Sequence, residues 1–235
     1  MVFERNVIIS ILKLAKEQRV FIEDIKNDAR VPSGILVSLL GKFQNEGLLI
    51  LNGQSVSVDR EDRLKLAVKA ISEGADVEAV SSFLQWQEFE SITATALENY
   101  GYVVKQNLRF KQAARRWEID VVGCKKPFVV CVDCKSWHHS IAPSAMRRVV
   151  EAQVERTRAL SDALPSASMG FECLNWEKAK FVPVVMVLIP SRFKFCDDVP
   201  VVPVLQMQDF LNQLPLEVES LKFFSREFAH LGHDF

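Results

Sequence analysis

The sequence predicts an α/β (α+β) protein, and three segments carry this prediction. Residues 85–102 place apolar side chains at the helical spacing of about 3.6 residues, and residues 143–164 do the same. Between them, residues 117–135 contain two short runs rich in valine, which are typical of adjacent buried strands. Strands enclosed by helical segments indicate a sheet with helices packed on it.

The N-terminal residues 1–58 have a different organisation. They predict helices at 3–17, 21–29 and 33–47, followed by a hairpin over residues 48–58. Gly47 is a favoured helix end, and Asn52 with Gly53 is a preferred pair for a two-residue hairpin turn. This order resembles a winged helix-turn-helix domain. Its third helix has one basic residue, Lys42, so that a DNA contact and a protein contact both stay open.

Residues 59–84 connect this domain to the rest of the chain. Two helical segments, joined near Gly74, fill the connector. The sequence therefore divides into a winged helix domain at 1–58, a helical connector at 59–84 and an α/β domain at 85–235.

The charge of the chain restricts where it can bind a polyanion. Its 29 basic and 30 acidic residues give a net charge of −1, so any nucleic-acid surface must be local. Candidate contacts are Lys111, Arg115 and Arg116 around one predicted turn, and Arg147 and Arg148 near the start of the helix at 143–164. As solvated surface charges, these residues would need no partner.

The sequence also indicates the cellular compartment of the protein. No stretch reaches the roughly 18 apolar residues of a membrane span, and charges interrupt the apolar N-terminal segment. We expect a cytoplasmic protein with no membrane partner. In that compartment the five cysteines are expected to be free thiols.

Two acids and a lysine stand on neighbouring strands of the segment 117–135. Side chains alternate along a strand, so Asp133 and Lys135 share one face and are neighbours in space. Asp120 lies on the preceding strand, on the face opposite its apolar neighbours. Charges at the end of a buried strand are costly unless a metal or a partner compensates them. An ordinary ion pair at a solvated strand end is the alternative.

Two polar residues on the flanking helices are candidates for the same site. Glu90 lies at the edge of the apolar stripe of the preceding helix, whereas Glu88 and Glu98 are expected on the polar side. Gln153 lies inside the apolar stripe of the following helix and must find hydrogen-bond partners there. It either reaches the acidic residues or bonds only to backbone.

The order of these elements resembles the PD-(D/E)-x-K nuclease superfamily, most closely its Mrr-like and archaeal restriction-endonuclease-like branch. The matching residues are Phe89 and Glu90, Asp120 within IDVVG, and Asp133, Lys135 and Trp137 within VDCKSW. Ile119 stands where the superfamily has proline, and Asp133 stands where glutamate is commoner. The resemblance extends over residues 85–214.

The resemblance implies a restriction-endonuclease-like core, in which a mixed central sheet is flanked by helices. It implies a helix at 143–164, strands at 181–189 and 201–206, and a closing helix at 207–214. It also makes 85–235 a nuclease domain. Gln153 looks like a glutamine that related nucleases place on this helix to reach the active site.

The resemblance further implies a Mg²⁺-dependent endonuclease that hydrolyses phosphodiester bonds of DNA, with Mn²⁺ as a substitute. The implied metal ligands are Asp120, Asp133, Glu90 and the carbonyl of Cys134, since Mg²⁺ prefers oxygen. Lys135 would position the attacking water or stabilise the developing negative charge. Cutting both strands of a duplex would favour a homodimer.

Two other functions stay open. The same fold serves DNA-binding or regulatory proteins that lack catalysis, although the complete set of acids and lysine favours an enzyme. The fold equally permits RNA or branched DNA as the substrate.

Overall fold

A computed structural model describes residues 2–15, 19–76, 79–80, 82–84, 86–135, 141–164, 170–187 and 193–228. These residues form two compact units that divide between Ile92 and Thr93. The second unit contains a mixed sheet with helices packed against it, so the predicted α/β class is confirmed. Across the described ranges, no helix is long and apolar enough to cross a lipid bilayer.

The first unit begins with three helices and a hairpin. Its elements are α1 Val2–Leu14, β1 Val20–Phe21, α2 Ile22–Ala29, α3 Ser33–Asn45, β2 Ile50–Asn52 and β3 Ser55–Ser57. The strands form an antiparallel sheet in the order β1-β3-β2. Gly47 follows α3 with a φ of 69°, and Gly53 turns the hairpin with a φ of 62°, conformations that glycine adopts without a Cβ clash. The winged helix assignment stays a prediction.

The connector begins with α4 Arg60–Ser72. Asp59 caps this helix, because its carboxylate accepts a hydrogen bond from the Asp62 N–H at 2.8 Å. The second predicted connector helix includes residues 77, 78 and 81, which lie outside the described ranges. The next helix, α5 Trp86–Asn99, carries the boundary between the two units.

A buried ion pair joins α4 to α5 within the first unit. Arg63 is 1% exposed and pairs with Glu88, which is also 1% exposed. The Arg63 guanidinium also donates to the carbonyl oxygens of Leu12 at 3.0 Å, Ala15 at 2.6 Å and Phe83 at 2.6 Å. The prediction that Glu88 faces the polar side is therefore wrong. The apolar stripe of one helix gives no information about a charged partner on another helix.

We expect Arg63→Met to lower the free energy of unfolding by about 3–5 kcal/mol, because it leaves the Glu88 carboxylate buried without this cation. Replacing both residues, as Arg63→Met with Glu88→Leu, should recover part of the loss. Urea denaturation measures both effects. A single Arg63→Met variant as stable as the wild type would contradict the burial of this pair.

The second unit is built on a seven-stranded sheet. Its strands are β4 Val103–Gln112, β5 Arg115–Lys125, β6 Phe128–Lys135, β7 Lys178–Val187, β8 Phe195–Cys196, β9 Val199–Pro203 and β10 Phe224–Glu227. Their order is β4-β5-β6-β7-β9-β8, and β10 pairs with the first half of β7. The pairs β6-β7 and β7-β9 are parallel and all others are antiparallel, which makes the sheet mixed.

Besides the second half of α5, two helices of the described ranges accompany this sheet. α6 Pro143–Ala163 connects β6 to the parallel β7 and packs on it, and α7 Met207–Glu217 packs against β9. Met146 and Val150 of α6 belong to one buried cluster with Val185 of β7, and Leu160 belongs to a second buried cluster. The predicted inward stripe of α6 therefore lies on the sheet. Gln153 is carried with it and is fully buried.

Several boundaries differ from the prediction. β7 begins at Lys178, three residues earlier than predicted, and the predicted strand end at 188–189 lies outside the described ranges. The strand predicted at 201–206 ends at Pro203, whose φ of −62° leads into a 3-10 turn. The edge strand Phe224–Glu227 was not predicted, because four alternating residues near the chain end are too short a pattern to identify.

Candidate active site

Asp120 and Asp133 stand opposite each other on two paired strands. β5 and β6 pair antiparallel as far as Val121 and Val132, and the next pair in this register is Asp120 with Asp133. Directly opposite residues place their side chains on the same face of a sheet. The two carboxylates therefore share one face.

Asp120 is partly buried and is held by the main chain of β6. The Cys134 N–H donates to its Oδ2 at 2.8 Å. Burial raises the pKa of the Asp120 carboxyl above its ordinary value, and the charge of Asp133 adds to this, whereas the Cys134 N–H, Lys135 and Arg156 act in the opposite direction. The surroundings of Asp120 therefore compensate its negative charge only in part.

Asp133 is 3% exposed and lies between two cations. Lys135 Nζ is 2.8 Å from its Oδ2, as the shared face of Asp133 and Lys135 predicts. Arg156 Nη1 of α6 donates to its Oδ1 at 2.9 Å. Sequence reasoning missed Arg156. The available signal was its spacing of three residues from Gln153, since residues i and i+3 lie close together on a helix.

Gln153 reaches the strand that carries Asp133. Its Nε2 donates to the carbonyl oxygen of Cys131 at 2.7 Å, and its Oε1 has no hydrogen-bond partner among the described residues. Of the two alternatives open from the sequence, the bond to backbone is present. An unpaired buried amide oxygen is costly, so Oε1 is an acceptor that still requires a donor.

The remaining two ligand candidates lie in different surroundings. In a sheet, the N–H and C=O groups of one residue face the same neighbouring strand, so the Cys134 carbonyl faces the edge on which its N–H meets Asp120. Glu90 is 6% exposed and belongs to the first unit. In the second unit, the next turn of α5 carries Thr93, whose Oγ1 lies 3.5 Å from Cys134 Sγ. Trp137, part of the matching motif, lies outside the described ranges.

Three of the basic candidates surround the turn between β4 and β5. Lys111, Arg115 and Arg116 are exposed there. The Arg115 guanidinium stacks on the Trp117 ring, 3.9 Å from its centre, and its Nη1 lies 3.6 Å from Oε2 of Glu155 on α6. The turn therefore lies beside the helix that carries Gln153.

The other two basic candidates lie at the start of α6. Arg147 and Arg148 are both exposed. Arg147 Nε is 3.7 Å from an Asp197 oxygen, a loose surface pair that contributes little to stability. Neither residue contacts Asp120 or Asp133 in the described part of the chain.

The β4–β5 turn is strained at two alanines. Ala113 and Ala114 have φ values of 50° and 63°, and Gln112 pairs with Arg115 across them, which defines a two-residue turn of type I′. We expect the double change Ala113→Asn and Ala114→Gly to raise the free energy of unfolding by about 1 kcal/mol, because both residues tolerate this conformation better.

Urea denaturation measures this gain, and Ala96→Gly inside α5 provides the matched control. There φ is helical, so glycine should lower the free energy of unfolding by about 1 kcal/mol. A loss of stability in the turn variant would contradict the assignment of strain.

Two carboxylates, rather than a closed cage, are available to a metal ion. Within the described ranges, no three side chains of His, Cys, Asp or Glu converge as a metal site. Mg²⁺ is commonly bound through one or two carboxylates and keeps several waters. Asp120 and Asp133 meet that requirement, whereas a structural Zn²⁺ would need four protein ligands.

Comparison with known proteins gives the same family as the motif. The restriction endonuclease family matches residues 81–161. This span contains Glu90, Asp120, Asp133, Lys135, Gln153 and Arg156. An uncharacterized protein of Archaeoglobus fulgidus is 30% identical over 149 residues, which make up 63% of this chain and 100% of that protein.

A similar solved structure is the crystal structure of protein VC1899 from Vibrio cholerae. It covers 93% of the chain at 11% identity with a TM-score of 0.42, and the chain spans 53% of its length, about half. That likeness is too weak to support an argument. The matched domain indicates a nuclease, and hence a nucleic acid as its substrate. On the family match and the full-length relative, the chain belongs to the restriction endonuclease family of the PD-(D/E)-x-K superfamily.

Proposed function

We propose that the chain is a divalent-metal-dependent endonuclease that hydrolyses phosphodiester bonds of DNA, with Mg²⁺ as its cofactor and Mn²⁺ as a substitute. The observation that carries the proposal is the pair Asp120 and Asp133 on one face of β5 and β6, with the Lys135 ammonium 2.8 Å from Asp133. All three residues lie inside the span that the restriction endonuclease family matches.

Asp120 and Asp133 would hold the cation, together with the carbonyl of Cys134 and the carboxylate of Glu90. Bound there, the cation would polarise the scissile phosphate and lower the pKa of a water ligand. Asp120 suits this role because burial raises the pKa of its carboxyl, and a nearby divalent charge would offset that penalty. Glu90 is included on its place in the sequence motif.

Lys135 and Gln153 would act on the reacting groups. The Lys135 side chain is 30% exposed and anchored by Asp133, so its ammonium can donate to the attacking water or to a phosphate oxygen. A donor fixed in this way stabilises developing negative charge without first having to reorganise. Gln153 is anchored by its Nε2 on β6, and its Oε1 would accept a hydrogen bond from the attacking water.

The basic hairpin, which is formed by β4 and β5 and carries Lys111, Arg115 and Arg116, would hold the nucleic acid backbone. An open groove of about 680 Å³ is lined there by Arg109, Phe110, Lys111, Arg116, Trp117 and Glu118. Lys111, Arg115 and Arg116, with Arg147 and Arg148 on α6, would contact phosphates. Basic side chains beside an aromatic ring suit a strand that is bound by charge and stacking.

DNA is the proposed substrate because the first unit has the element order of a winged helix. We propose the division into a winged helix domain at 1–58, a connector at 59–84 and a nuclease domain at 85–235, with a homodimer if both strands of a duplex are cut. Gel-shift assays with the Lys42→Gln variant test the DNA contact of the third helix, with thermal unfolding measured beside them because Lys42 Nζ lies 2.8 Å from the buried Glu4. Undiminished DNA binding would leave that helix as a protein-contact surface.

The function is tested by incubating the full chain with plasmid, single-stranded DNA, branched DNA and RNA in Mg²⁺ or Mn²⁺. Asp120→Ala and Lys135→Ala run beside it, and Asp162→Asn serves as the control because Asp162 lies in a surface pair with Arg226. The proposal is supported if cleavage needs the metal, is lost in Asp120→Ala and Lys135→Ala, and is retained in Asp162→Asn. No cleavage of any substrate, or cleavage undiminished in both variants, contradicts it.

A second candidate is a DNA-binding protein of the same fold without catalysis. The observation in its favour is that both carboxylate oxygens of Asp133 already lie near cations, Lys135 and Arg156. Tight DNA binding without cleavage in any divalent metal would favour this candidate.

A further inference from the structure

Arg156 occupies a carboxylate that the proposed metal ion would need. Asp133 is 3% exposed, and its Oδ1 accepts from Arg156 Nη1 at 2.9 Å while Lys135 Nζ lies 2.8 Å from its Oδ2. Among the described residues only Oδ1 accepts a hydrogen bond, and Lys135 compensates Oδ2 through its charge, so the carboxylate is neutralised without any metal. A divalent cation entering this site must therefore displace or repel one of the two positive side chains.

The charges of the site show why a divalent cation competes with Lys135 and Arg156 for Asp133. Asp120 and Asp133 contribute two negative charges, and Lys135 and Arg156 contribute two positive charges, so these four side chains together are neutral, and Glu90 as a further ligand would add one negative charge. Adding a divalent cation would leave an excess of positive charge at contact distance. A guanidinium stays protonated in proteins, so Arg156 cannot relieve this excess by losing a proton.

Arg156 is better able to leave than Lys135. Lys135 stands two residues from Asp133 on the same face of β6, so its ammonium stays near the carboxylate. Arg156 reaches Asp133 from α6, a different element, and its side chain is 30% exposed, as is that of Lys135. It can therefore turn toward solvent without disturbing the helix.

The turn of α6 that carries Arg156 lies beside the β4–β5 turn. The preceding residue, Glu155, lies 3.6 Å from Arg115, one of the exposed basic residues of the β4–β5 turn. A guanidinium released beside this basic hairpin has five donors in a fork that matches the oxygens of a phosphate.

We propose that Arg156 is a switch between metal and nucleic acid: it neutralises Asp133 in the metal-free protein and moves to a backbone phosphate of the nucleic acid once a divalent cation binds. This inference rests on the proposed function and adds a residue that couples the two binding steps. The cation then increases the affinity for nucleic acid by releasing a phosphate-binding side chain as well as by its own charge.

The first test measures metal affinity without nucleic acid, by calorimetric titration of Mn²⁺ into the full chain. Arg156→Ala is expected to bind Mn²⁺ about tenfold more tightly than the wild type, because a nearby positive charge is removed. Arg156→Gln is expected to change the affinity in the same direction and serves if the alanine variant does not fold. Arg158→Ala is the matched control: Arg158 lies on the same helix but over the Phe224 ring, 5.0 Å from its centre, and should leave the affinity unchanged.

The second test measures duplex DNA binding by fluorescence anisotropy at several salt concentrations, in Ca²⁺ and in chelator. In Ca²⁺, the Arg156 variants should lower the slope of log affinity against log salt by about one, the effect of one lost phosphate contact. In chelator, the slope should match that of the wild type, because Arg156 is then held by Asp133.

The Asp133→Asn variant distinguishes a failure of the proposed metal site from a failure of the Arg156 switch. If Asp133→Asn abolishes Mn²⁺ binding but the Arg156 variants leave it unchanged or weaken it, the switch is overturned and the metal site stands. Equal loss of DNA affinity in Ca²⁺ and in chelator also overturns the switch. If the wild type binds no Mn²⁺, or binds it regardless of Asp133→Asn, the proposed metal site and the switch fall together.

Discussion

Lys135→Ala is expected to lower the rate of nucleic acid cleavage about a hundredfold or more, the usual effect of removing one fixed donor from a site where negative charge develops. Among the described residues, the side chain has no substitute in position: Lys135 Nζ lies 2.8 Å from Asp133 Oδ2, whereas Arg156 approaches the other oxygen. Single-turnover cleavage measures the effect on the chemical step rather than on product release.

The fold should survive this change, because Asp133 keeps Arg156 as a partner at 2.9 Å. The control is Lys178→Ala, which removes an exposed lysine from β7 that lies 3.6 Å from Glu227. It should leave the cleavage rate unchanged. Equal rates in Lys135→Ala and Lys178→Ala would remove Lys135 from the active site.

Asp120→Asn is expected to abolish cleavage and at the same time to raise the stability of the protein at neutral pH. Burial raises the pKa of the Asp120 carboxyl above its ordinary value of 3.8, so its charged form is disfavoured in the folded state. Asparagine removes the charge and keeps an oxygen to accept the Cys134 N–H. Loss of function with a gain in stability is typical of a residue kept for catalysis.

The raised pKa of Asp120 also determines how the stability gain of Asp120→Asn changes with pH. The folded chain binds the Asp120 proton more tightly than the unfolded chain, so the resulting stability is complete below pH 3.8 and is lost as pH rises through the raised pKa. The advantage of Asp120→Asn over the wild type should therefore be larger at pH 7 than at pH 4. Urea denaturation at the two pH values measures it, with Asp162→Asn as the surface control. A variant less stable than the wild type at pH 7 would contradict the partial compensation of this charge.

The parts of the site that follow from strand geometry could be predicted from the sequence. Alternation along β6 places Asp133 beside Lys135, and pairing with β5 brings Asp120 opposite Asp133. The apolar stripe of α6 likewise carries Gln153 to the sheet. These relations involve residues that are close together in sequence or lie on one strand pair. The hydrophobic periodicity of the sequence is therefore sufficient to predict them.

The parts that depend on distant partners could not be predicted. Arg156 reaches Asp133 across 23 residues, and Arg63 reaches Glu88 across 25, so in both cases a charged residue on an apolar helix edge resembles a solvated one. Burial of such charges is decided by tertiary packing, because each needs its partner in place before it can leave water. Glu88 shows this most clearly, since helical periodicity alone places it on the polar side.

We propose that Asp120 and Asp133 share one divalent cation, and anomalous diffraction from crystals soaked in Mn²⁺ would locate that cation. An anomalous peak is expected within about 2.5 Å of an oxygen of each carboxylate, with Arg156 moved away from Asp133. The peak should be absent in Asp120→Asn crystals and present in Asp162→Asn crystals. Mn²⁺ bound elsewhere, or bound to one of the two carboxylates alone with Arg156 still on Asp133, would contradict a shared metal site.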